Sequence, residues 1–270
     1  MRNVLDPIES PANPRVRDWA KLRSGRRRRQ AGRFLIDGGY ELDQAITGKI
    51  FIEEVLLSSS LEEGPLSEWQ EKLNENQVEW RRVSEAVLEK VSVRENPDGI
   101  IAVARTPDRA FSIPVDPGGP LIVANRIEKP GNLGALIRTC YAVGAAGVVL
   151  CDPAVDFESP QVIRASRGLV FRLPGWTSTA SELINLLGQS TLTVFAADKN
   201  SEQIFWEANW PSDPVIVLGE EHFGLSNEWD HEWITGLRIP MEKGIDSLNV
   251  SVSGALLLYE WKRQQRAERT

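Results

Sequence analysis

Residues that could hold a negatively charged group occur where an apolar strand runs into a helix. Leu121–Ala124 reads as a buried strand, Pro130-Gly131-Asn132 as a turn, and a helix follows through Arg138. Free backbone N–H groups and the helix dipole favour anions at such a helix N-terminus. If the helix starts near Leu133, Arg138 lies in its second turn and could project back toward the loop. An isolated arginine is by default a surface residue, so this segment alone leaves both interpretations open.

A second polar segment ends another apolar strand. Val215–Leu218 is followed by Gly219, two glutamates and then Gly224. Doubly wound sheets bind ligands at the carboxyl ends of their strands, so a site is expected here. Glu221 is the candidate partner for an arginine. A solvated acidic turn explains the same residues when they are considered alone.

The third segment, Ile239–Glu260, joins an irregular loop to a buried helix. Pro240 removes a backbone donor and Gly244 permits positive φ, which excludes a helix interior. Ser247 is the expected N-cap of the following helix. That helix is apolar on more than one side, which is typical of burial in a core or against another chain. The exposed backbone groups of the loop suit a polar ligand, although an ordinary loop and core helix is the simpler interpretation of this segment by itself.

These segments belong to a chain in which strands alternate with helices, a pattern typical of α/β folds. A proline- and glycine-rich stretch, Thr106–Pro120, reads as a linker. We therefore predict a domain over residues 1–106, a linker over 107–120 and a second domain over 121–270. The predicted strands are Phe34–Ile36, Glu54–Leu57, Val78–Val83, Gly99–Ala104, Leu121–Ala124, Gly147–Cys151, Leu192–Ala196 and Val215–Leu218.

Basic residues are concentrated in two places. Residues 1–33 hold ten basic against three acidic residues, a net +7, so the rest of the chain carries −14 within a total of −7. Four consecutive arginines form a turn in this region, and Arg164 and Arg167 belong to a second basic patch. A local basic patch on an acidic body is typical of a polyanion-binding surface. A solvated surface turn is the alternative for the four arginines, and a helix with a polar face explains the second patch equally well. The four consecutive arginines are Arg26, Arg27, Arg28 and Arg29.

Composition limits the classes of protein to consider. Hydrophobic content of 41% and charged content of 26% are those of a soluble globular protein. No apolar run approaches the roughly 18 residues of a membrane span, and the N-terminus lacks a signal-peptide core. Two cysteines and two histidines make a structural zinc site improbable. A cytoplasmic protein with no required metal is expected. The glycine spacing also lacks the G-x-G-x-x-G dinucleotide fingerprint.

Taken together, the three polar segments resemble the TrmH/SpoU branch of the SPOUT RNA 2′-O-ribose methyltransferases. The resemblance rests on Asn132, Gly134 and Arg138; on Gly219, Glu221, Gly224 and Leu225; and on Ile239-Pro240-Met241 with Ser247–Ser251. It covers residues 121–260. Phe34–Tyr40 also looks like the start of the family's N-terminal substrate-binding domain. Asp37 stands there in place of the usual Glu, and Lys243 stands where a Gly commonly follows the I-P-M motif.

The resemblance implies a fold, a cofactor and an assembly. The fold is an α/β catalytic domain with a deep C-terminal trefoil knot, preceded by a smaller ribosomal-protein-like α/β RNA-binding domain. The cofactor is S-adenosylmethionine, held by the knot loops. The assembly is a homodimer joined through the knot helices, which offers a reason for the broadly apolar final helix. The implied cofactor-binding residues are Leu218, Gly219, Ile239, Met241, Ser247, Leu248 and Asn249.

The resemblance also implies catalytic roles. In the family, the counterpart of Arg138 contacts or activates the ribose 2′-hydroxyl. An arginine is a poor base because its pKa exceeds about 12. The preferred role is therefore electrostatic: Arg138 positions the adjacent phosphate and stabilises the developing alkoxide. Asn132 orients the arginine or the ribose, and Glu221 holds either of them. Ser247 and Asn249 bind the ribose, the arginine or the cofactor.

The substrate expected from this layout is RNA, with 23S ribosomal RNA first and transfer RNA as the alternative. Two other classes stay open. One is a non-catalytic RNA-binding protein that retains the fold, and the other is a nucleotide-dependent oxidoreductase or ligand-binding α/β protein. The presence of all five candidate catalytic residues disfavours the first, and the missing dinucleotide fingerprint disfavours the second.

Overall fold

The structure is a computed structural model that describes residues 3–114, 116–220 and 224–267. The chain divides into two compact units. The first comprises Met1–Asp108 and Glu158–Arg172, and the second comprises Arg109–Phe157 and Leu173–Thr270. The segment Glu158–Arg172 therefore groups with the first unit, whereas the boundaries predicted from the sequence assign it to the second domain.

The first unit is built on a mixed sheet of β1 (Arg33–Asp37), β2 (Ile52–Ser58), β3 (Trp80–Val83) and β4 (Ile100–Arg105). The order is β1-β4-β2-β3, with β4 antiparallel to β1 and β2 and with β2 parallel to β3. Its core includes Trp19, Leu35, Leu56 and Val103, which are at most 2% exposed. The helices of this unit are α1 (Pro14–Lys21), α2 (Gly25–Ala31), α3 (Gly39–Thr47), α4 (Glu63–Glu75), α5 (Glu85–Val91) and α7 (Pro160–Ala165).

The arginine run is helical, which corrects the turn expected from the sequence. Ser24 precedes α2, and Gly32 ends it at a φ of 60°, a left-handed conformation that suits glycine. Arg28 is only 6% exposed. Its Nη1 donates to the carbonyl oxygens of Leu22 and Arg23, at 3.3 and 3.1 Å. Arg28 therefore links α2 to the end of α1. Unlike the other three arginines of the run, it is not exposed for RNA binding.

The second unit contains a parallel sheet of β5 (Leu121–Asn125), β6 (Gly147–Cys151), β7 (Gly175–Ser178), β8 (Val194–Ala197), β9 (Val215–Leu218) and β10 (Ile234–Leu237). The strand order is β10-β8-β9-β5-β6-β7, and every described pair is parallel. The helices are α6 (Pro130–Val143), α8 (Ala180–Gly188) and α9 (Val250–Ala267). β5, β6 and β9 are buried throughout, as expected for parallel strands covered on both faces.

The two edge strands of this sheet, β7 and β10, were not predicted from the sequence. Each is only four residues long, and most of their residues are partly exposed. Neither GWTS nor ITGL forms an apolar run, so the sequence offers little signal there. Among the described helices, none combines the length and apolar content that a bilayer crossing requires.

Candidate active site

The polar segments predicted from the sequence meet where α6 and α9 begin. Asn249 immediately precedes α9, and its Oδ1 accepts from the N–H of Ser251 at 2.9 Å and from the Ser251 hydroxyl at 2.7 Å. Its Nδ2 donates to Oδ1 of Asn132 at 3.0 Å. Asn132 lies in the first turn of α6. One asparagine therefore caps α9 and joins it to the start of α6.

The N-cap expected from the sequence was Ser247, and this was wrong. Two backbone bonds, from Val252 and Ser253 to the carbonyl oxygen of Asn249, start the helix at 2.9 Å each. Ser247 lies two residues upstream in the exposed loop. It borders the cavity described below, so its position suits ligand binding rather than capping.

Close packing holds α9 against α6 and β9. A β-carbon added at Gly254 would stand 2.6 Å from Cδ1 of Leu136 and 3.0 Å from Cδ1 of Leu218. Only glycine allows this approach of the helix backbone. At the other end of α9, Nζ of Lys262 donates to the carbonyl oxygen of Val143 at 2.8 Å. The two helices are therefore fixed at both ends, which fixes the Asn132–Asn249 pair.

A cavity of about 520 Å³ opens beside these helix starts, at the carboxyl ends of β8, β9 and β10. This volume is within the range of about 300–1,000 Å³ for small-ligand sites. Its walls include most of the cofactor-binding residues predicted from the sequence. Those that line it are Leu218, Gly219, Ile239, Met241, Ser247 and Leu248, whereas Asn249 does not line it.

The two ends of the loop after β9 lie close together at one side of the cavity. Glu220 and Gly224 exchange two backbone hydrogen bonds, at 2.9 and 3.0 Å. A β-carbon on Gly219 would stand 2.4 Å from the carbonyl carbon of Gly224, so a side chain at that position is excluded. Glu221, a predicted catalytic residue, lies outside the described residues.

Several residues that line the cavity were not predicted from the sequence. Asp198 follows β8 just as Gly219 follows β9, and its Oδ2 accepts from the Ser201 hydroxyl at 3.2 Å. Trp229 is 3% exposed, and within the described chain its Nε1 has no hydrogen-bond partner. The carboxyl-end rule would have found Asp198 and its loop. Nothing local marks Trp229, because a buried tryptophan is usually a core residue.

Arg138 does not line this cavity. The helix starts at Pro130, three residues earlier than expected, so Arg138 lies in its third turn rather than its second. Arg138 is exposed and is not among the residues that line the cavity. Asn132 and Arg138 share the helix, but in this single chain the structure does not place them together at the cavity.

The basic residues predicted to bind RNA all lie in the first unit. Arg26, Arg27 and Arg29 are exposed on α2, and Arg164 and Arg167 are exposed at the end of α7. A second cavity of about 330 Å³ is lined by residues of both helices, among them Arg28 of α2 and Arg164 of α7, and also by Arg23 and Arg94. The two patches that are far apart in the sequence therefore lie around one cavity.

Comparison with known proteins decides the family. Residues 119–259 match the model of the SpoU rRNA Methylase family, which is more than half of the chain. The chain belongs to this family. Residues 13–102 match the MRM3-like substrate binding domain. The parallel sheet and the loop-bound cavity described above lie within the SpoU-matching region.

Two relatives are similar along nearly their whole length. The chain is 31% identical to an uncharacterised tRNA/rRNA methyltransferase of Synechocystis, covering 97% of this chain and 96% of the relative. It is 25% identical to the 23S rRNA (guanosine(2553)-2′-O)-methyltransferase of Bacillus subtilis, covering 94% of this chain and 98% of the relative.

Two solved structures are similar in the same way. One is an RNA 2′-O ribose methyltransferase, 40% identical with a TM-score of 0.79, over 96% of this chain and 99% of that one. The other is an AdoMet-bound rRNA methyltransferase of Sinorhizobium meliloti, 25% identical with a TM-score of 0.86, over 97% and 98%. The chain is accordingly an S-adenosylmethionine-dependent RNA methyltransferase.

The cavity fits S-adenosylmethionine chemically. Apolar side chains such as Leu218, Ile239 and Leu248 line one part, and the buried Trp229 supplies an indole N–H without a described partner. Lys199 is the one described lysine or arginine in the lining. The carboxylates in the same lining outnumber it, which suits a ligand with sulfonium and ammonium charges. These carboxylates are Asp198, Glu220, Asp230 and Asp246.

Neither of the two cysteines lines the cavity. Cys140 and Cys151 are both free and fully buried. Burial raises the pKa of the Cys140 thiol, and burial together with nearby carboxylates raises that of Cys151 to about 12. Neither thiol therefore supplies a nucleophile or base at neutral pH. Within the described ranges, no cluster of His, Cys, Asp and Glu side chains could hold a metal ion.

Proposed function

We propose that this chain methylates the ribose 2′-oxygen of a nucleotide in 23S ribosomal RNA. The observation that carries the proposal is the hydrogen bond between Asn132 and Asn249, which joins two of the family's motif segments beside a cavity of cofactor size. The Bacillus subtilis relative named for 23S rRNA aligns along nearly the whole chain, and this supports the choice of RNA.

The chemistry needs little from the protein beyond orientation and one proton transfer. When bound, S-adenosylmethionine supplies a methyl group already activated on a sulfonium. The cavity walls, Leu218, Ile239 and Leu248 among them, hold the donor in one orientation and exclude water. The Asn132–Asn249 pair fixes the side-chain amides where the ribose is to be positioned. Ser247, on the same loop, hydrogen-bonds the ribose or the cofactor.

We assign Arg138 the role of stabilising negative charge on the 2′-oxygen. A guanidinium keeps its charge at all working pH values, so it binds the adjacent phosphate and the developing alkoxide rather than removing the proton. A phosphate oxygen or water accepts that proton. Glu221 holds Arg138 or Asn132 in this proposal. Replacing Arg138 by Ala is expected to abolish methyl transfer while S-adenosylmethionine binds as before, and an equal loss of cofactor binding contradicts this division.

We infer that the active form is a homodimer joined through α6 and α9. Three large apolar side chains of α9 remain exposed in the single chain: Val252 at 47%, Leu256 at 39% and Tyr259 at 56%. A second copy that covers them removes this apolar surface from water. It also gives Arg138, which is exposed and away from the cavity of its own chain, an approach to the cavity of the other subunit.

The dimer is tested with Leu256→Glu, which places a charge on the apolar face without touching the buried side of α9. Light scattering coupled to size exclusion is expected to show a monomer with the wild-type circular dichroism spectrum and little methyl transfer. A monomeric variant of full activity refutes the dimer requirement. Leu186→Glu, at an apolar residue exposed to a similar 36% on α8, is the matched control and should leave the assembly unchanged.

The deep trefoil knot and the cytoplasmic location are parts of the same proposal. The knot is supported by the match of this region to the SpoU family. Stretching the chain from both ends in single-molecule force measurements is expected to give a final contour length shorter than that of a fully extended chain, because a tightened knot retains residues. Cell fractionation followed by immunoblotting tests the location, and recovery with the membrane or secreted fraction contradicts it.

The decisive experiment for the activity uses labelled S-adenosylmethionine and total RNA, with large-subunit rRNA, small-subunit rRNA and tRNA separated afterwards. Label in large-subunit rRNA that blocks alkaline cleavage at one position is the expected result. Label in tRNA assigns the alternative substrate. Absence of label in naked RNA and in ribosomal subunits, from a protein that still binds S-adenosylmethionine, contradicts the proposed activity and favours the non-catalytic alternative.

A further inference from the structure

The first unit presents an exposed aromatic ring under an arginine whose backbone conformation is strained. Tyr40, near the start of α3, is 51% exposed. The guanidinium carbon of Arg167 lies 4.9 Å from the centroid of its ring. Both residues belong to the same compact unit, although they are far apart in the sequence. An exposed tyrosine and an arginine in this arrangement form a cation–π pair.

The turn that carries Arg167 is held in an unfavourable backbone conformation. Arg167 has a φ of 52° and Gly168 a φ of 72°, so two successive residues are left-handed. This conformation is rare for an arginine and costs energy. It persists because the turn is tied down at its base. Ser166 is fully buried, and its hydroxyl donates to the carbonyl oxygen of Ile163 at 3.0 Å.

The same turn is packed closely on α3. A β-carbon added at Gly168 would stand 2.8 Å from Cβ of Gln44 and 3.3 Å from Cα of Glu41. The backbone of the turn therefore touches the helix that carries Tyr40, and this packing fixes Arg167 above the ring. A rigidly held ring and cation bind a ligand with less loss of conformational entropy than mobile side chains would.

No described carboxylate near Arg167 neutralises its charge. The acidic residues of α3 have their own partners: Glu41 accepts from Nη2 of Arg94 at 2.8 Å, and Asp43 pairs with Lys72. With the residues that the structure describes, Arg167 forms no ion pair. Within Glu158–Arg172, three arginines but no further acidic residue follow Glu158. They are Arg164, Arg167 and Arg172. The exposed ring therefore lies beside a guanidinium that no described carboxylate neutralises.

The same unit contains a second exposed cation–π pair, in which the arginine is also ion-paired. Phe51 is 61% exposed and lies 4.7 Å from the guanidinium carbon of Arg105. Here the guanidinium is neutralised, because Nε of Arg105 donates to Glu53 at 2.8 Å. Phe51 resembles Tyr40 in its exposure and in its distance from a guanidinium. It differs because its arginine is paired with a carboxylate, so Phe51 serves as a control.

We propose that Tyr40 and Arg167 form a stacking site for an unpaired base of the substrate RNA, away from the catalytic cavity. The inference rests on the RNA-methylating function proposed above and names where that RNA is held. Aromatic rings stack on bases of any sequence, and a cation on the ring strengthens the interaction. Arg164, which is exposed on α7 in the same unit, adds positive charge for a phosphate of the same RNA. The site therefore selects single-stranded RNA over duplex.

The test measures binding of a short, labelled single-stranded RNA of mixed sequence, and of the same sequence as a duplex, to the full-length chain. Tyr40→Ala is expected to weaken single-strand binding about tenfold, as for removal of one stacked base, with an unchanged salt dependence because no charge is removed. Tyr40→Phe and Phe51→Ala are expected to bind like the wild type. Arg167→Asn, which tolerates positive φ and removes the cation, should weaken binding and flatten the salt dependence.

Three results overturn the proposal: wild-type affinity of Tyr40→Ala for the single strand, an equal loss for the duplex, or an equal loss in Phe51→Ala. Wild-type affinity of Tyr40→Ala would favour a protein, rather than RNA, as the partner of the exposed Tyr40 ring. The failure of the proposed function is separately visible, since it appears as absent methyl transfer in the wild type. Tyr40→Ala should bind S-adenosylmethionine normally and lose activity through a raised KM with kcat retained at saturating RNA.

Discussion

Asn249 and Asn132, which are 117 residues apart in the chain, share a 3.0 Å hydrogen bond between their side-chain amides. Asn249 also caps α9 through its Oδ1. The two functions use different atoms of one amide: the oxygen caps the helix, and the nitrogen bridges to α6. They can therefore be separated by substitution.

We expect Asn249→Ser to keep the cap and lose the bridge. A serine hydroxyl is a good N-cap acceptor, but its side chain is one atom shorter and has no amide N–H to donate to Asn132. Thermal stability should remain near that of the wild type, whereas methyl transfer should fall on the order of 100-fold, as for a misplaced catalytic group. Asn249→Ala loses both functions and should also cost about 1 kcal/mol of stability. A fully active Asn249→Ser protein would show that the bridge is unnecessary.

Gly254→Ala should loosen the packing of α9. The added methyl meets Leu136 and Leu218 at 2.6 and 3.0 Å. Overpacking of this kind costs about 1–3 kcal/mol, offset by up to about 1 kcal/mol from helix propensity. Because Leu218 lines the cavity, S-adenosylmethionine affinity measured by calorimetry should fall as well. Gly64→Ala in α4, where nothing lies within 4 Å, is the control and should be neutral or stabilising. Unchanged affinity and stability in Gly254→Ala would contradict this role.

The two cysteines should make the protein less stable at alkaline pH. Their pKa values are raised in the folded state, that of Cys151 to about 12. Their contribution to stability is therefore complete below the unfolded-state pKa and declines as pH rises toward the folded value. The loss is about 1.4 kcal/mol per pH unit for each thiol above an unfolded pKa of about 8.5. Urea unfolding from pH 8 to 10 measures it.

The matched control is the Cys140→Ala, Cys151→Ala double variant, in which this part of the pH dependence should disappear. Thiol reagents should label the native wild type at pH 8 only at the rate of unfolding, because both sulfurs are buried. Rapid labelling of native protein would contradict the burial of these side chains.

The exposed arginines of α2 should contribute to RNA affinity through charge alone. Replacing Arg26, Arg27 and Arg29 by Gln keeps the helix and its buried Arg28. The plot of log affinity against log salt concentration should become shallower by about 0.7 for each single-strand phosphate that is no longer neutralised. Arg28→Gln should instead lower stability, since it removes the donors to Leu22 and Arg23. An unchanged salt slope in the triple variant would remove α2 from the RNA-binding surface.

The elements that surround the cavity were largely predictable, because their signals are local. Buried runs such as Val215–Leu218 and Gly147–Cys151 are apolar throughout and end in glycine or polar residues, as parallel strands do. The loop residues Gly219, Ile239 and Met241 followed from the same pattern together with the motif resemblance. The structure places them around one cavity.

What could not be predicted depends on interactions between residues that are distant in the chain. Ser247 and Asn249 are both good N-cap residues by type, and what distinguishes Asn249 in the structure is its additional bond to Asn132. Arg28 looks like its three neighbours in the sequence, but it is buried because α1 ends beside it. Trp229 gives no local sign that it lines a cavity.

The assignment of Glu158–Arg172 to the first unit bears on how this protein could be taken apart or recombined. The chain passes from one unit to the other at residues 108–109, 157–158 and 172–173, so no single cut separates them. A fragment beginning at the predicted linker would carry away Val162, Ile163 and Val170, all at most 2% exposed here, without the unit that buries them. The substrate-binding half is thus a discontinuous module. Exchange of specificity between relatives would have to transfer this inserted segment together with the N-terminal portion.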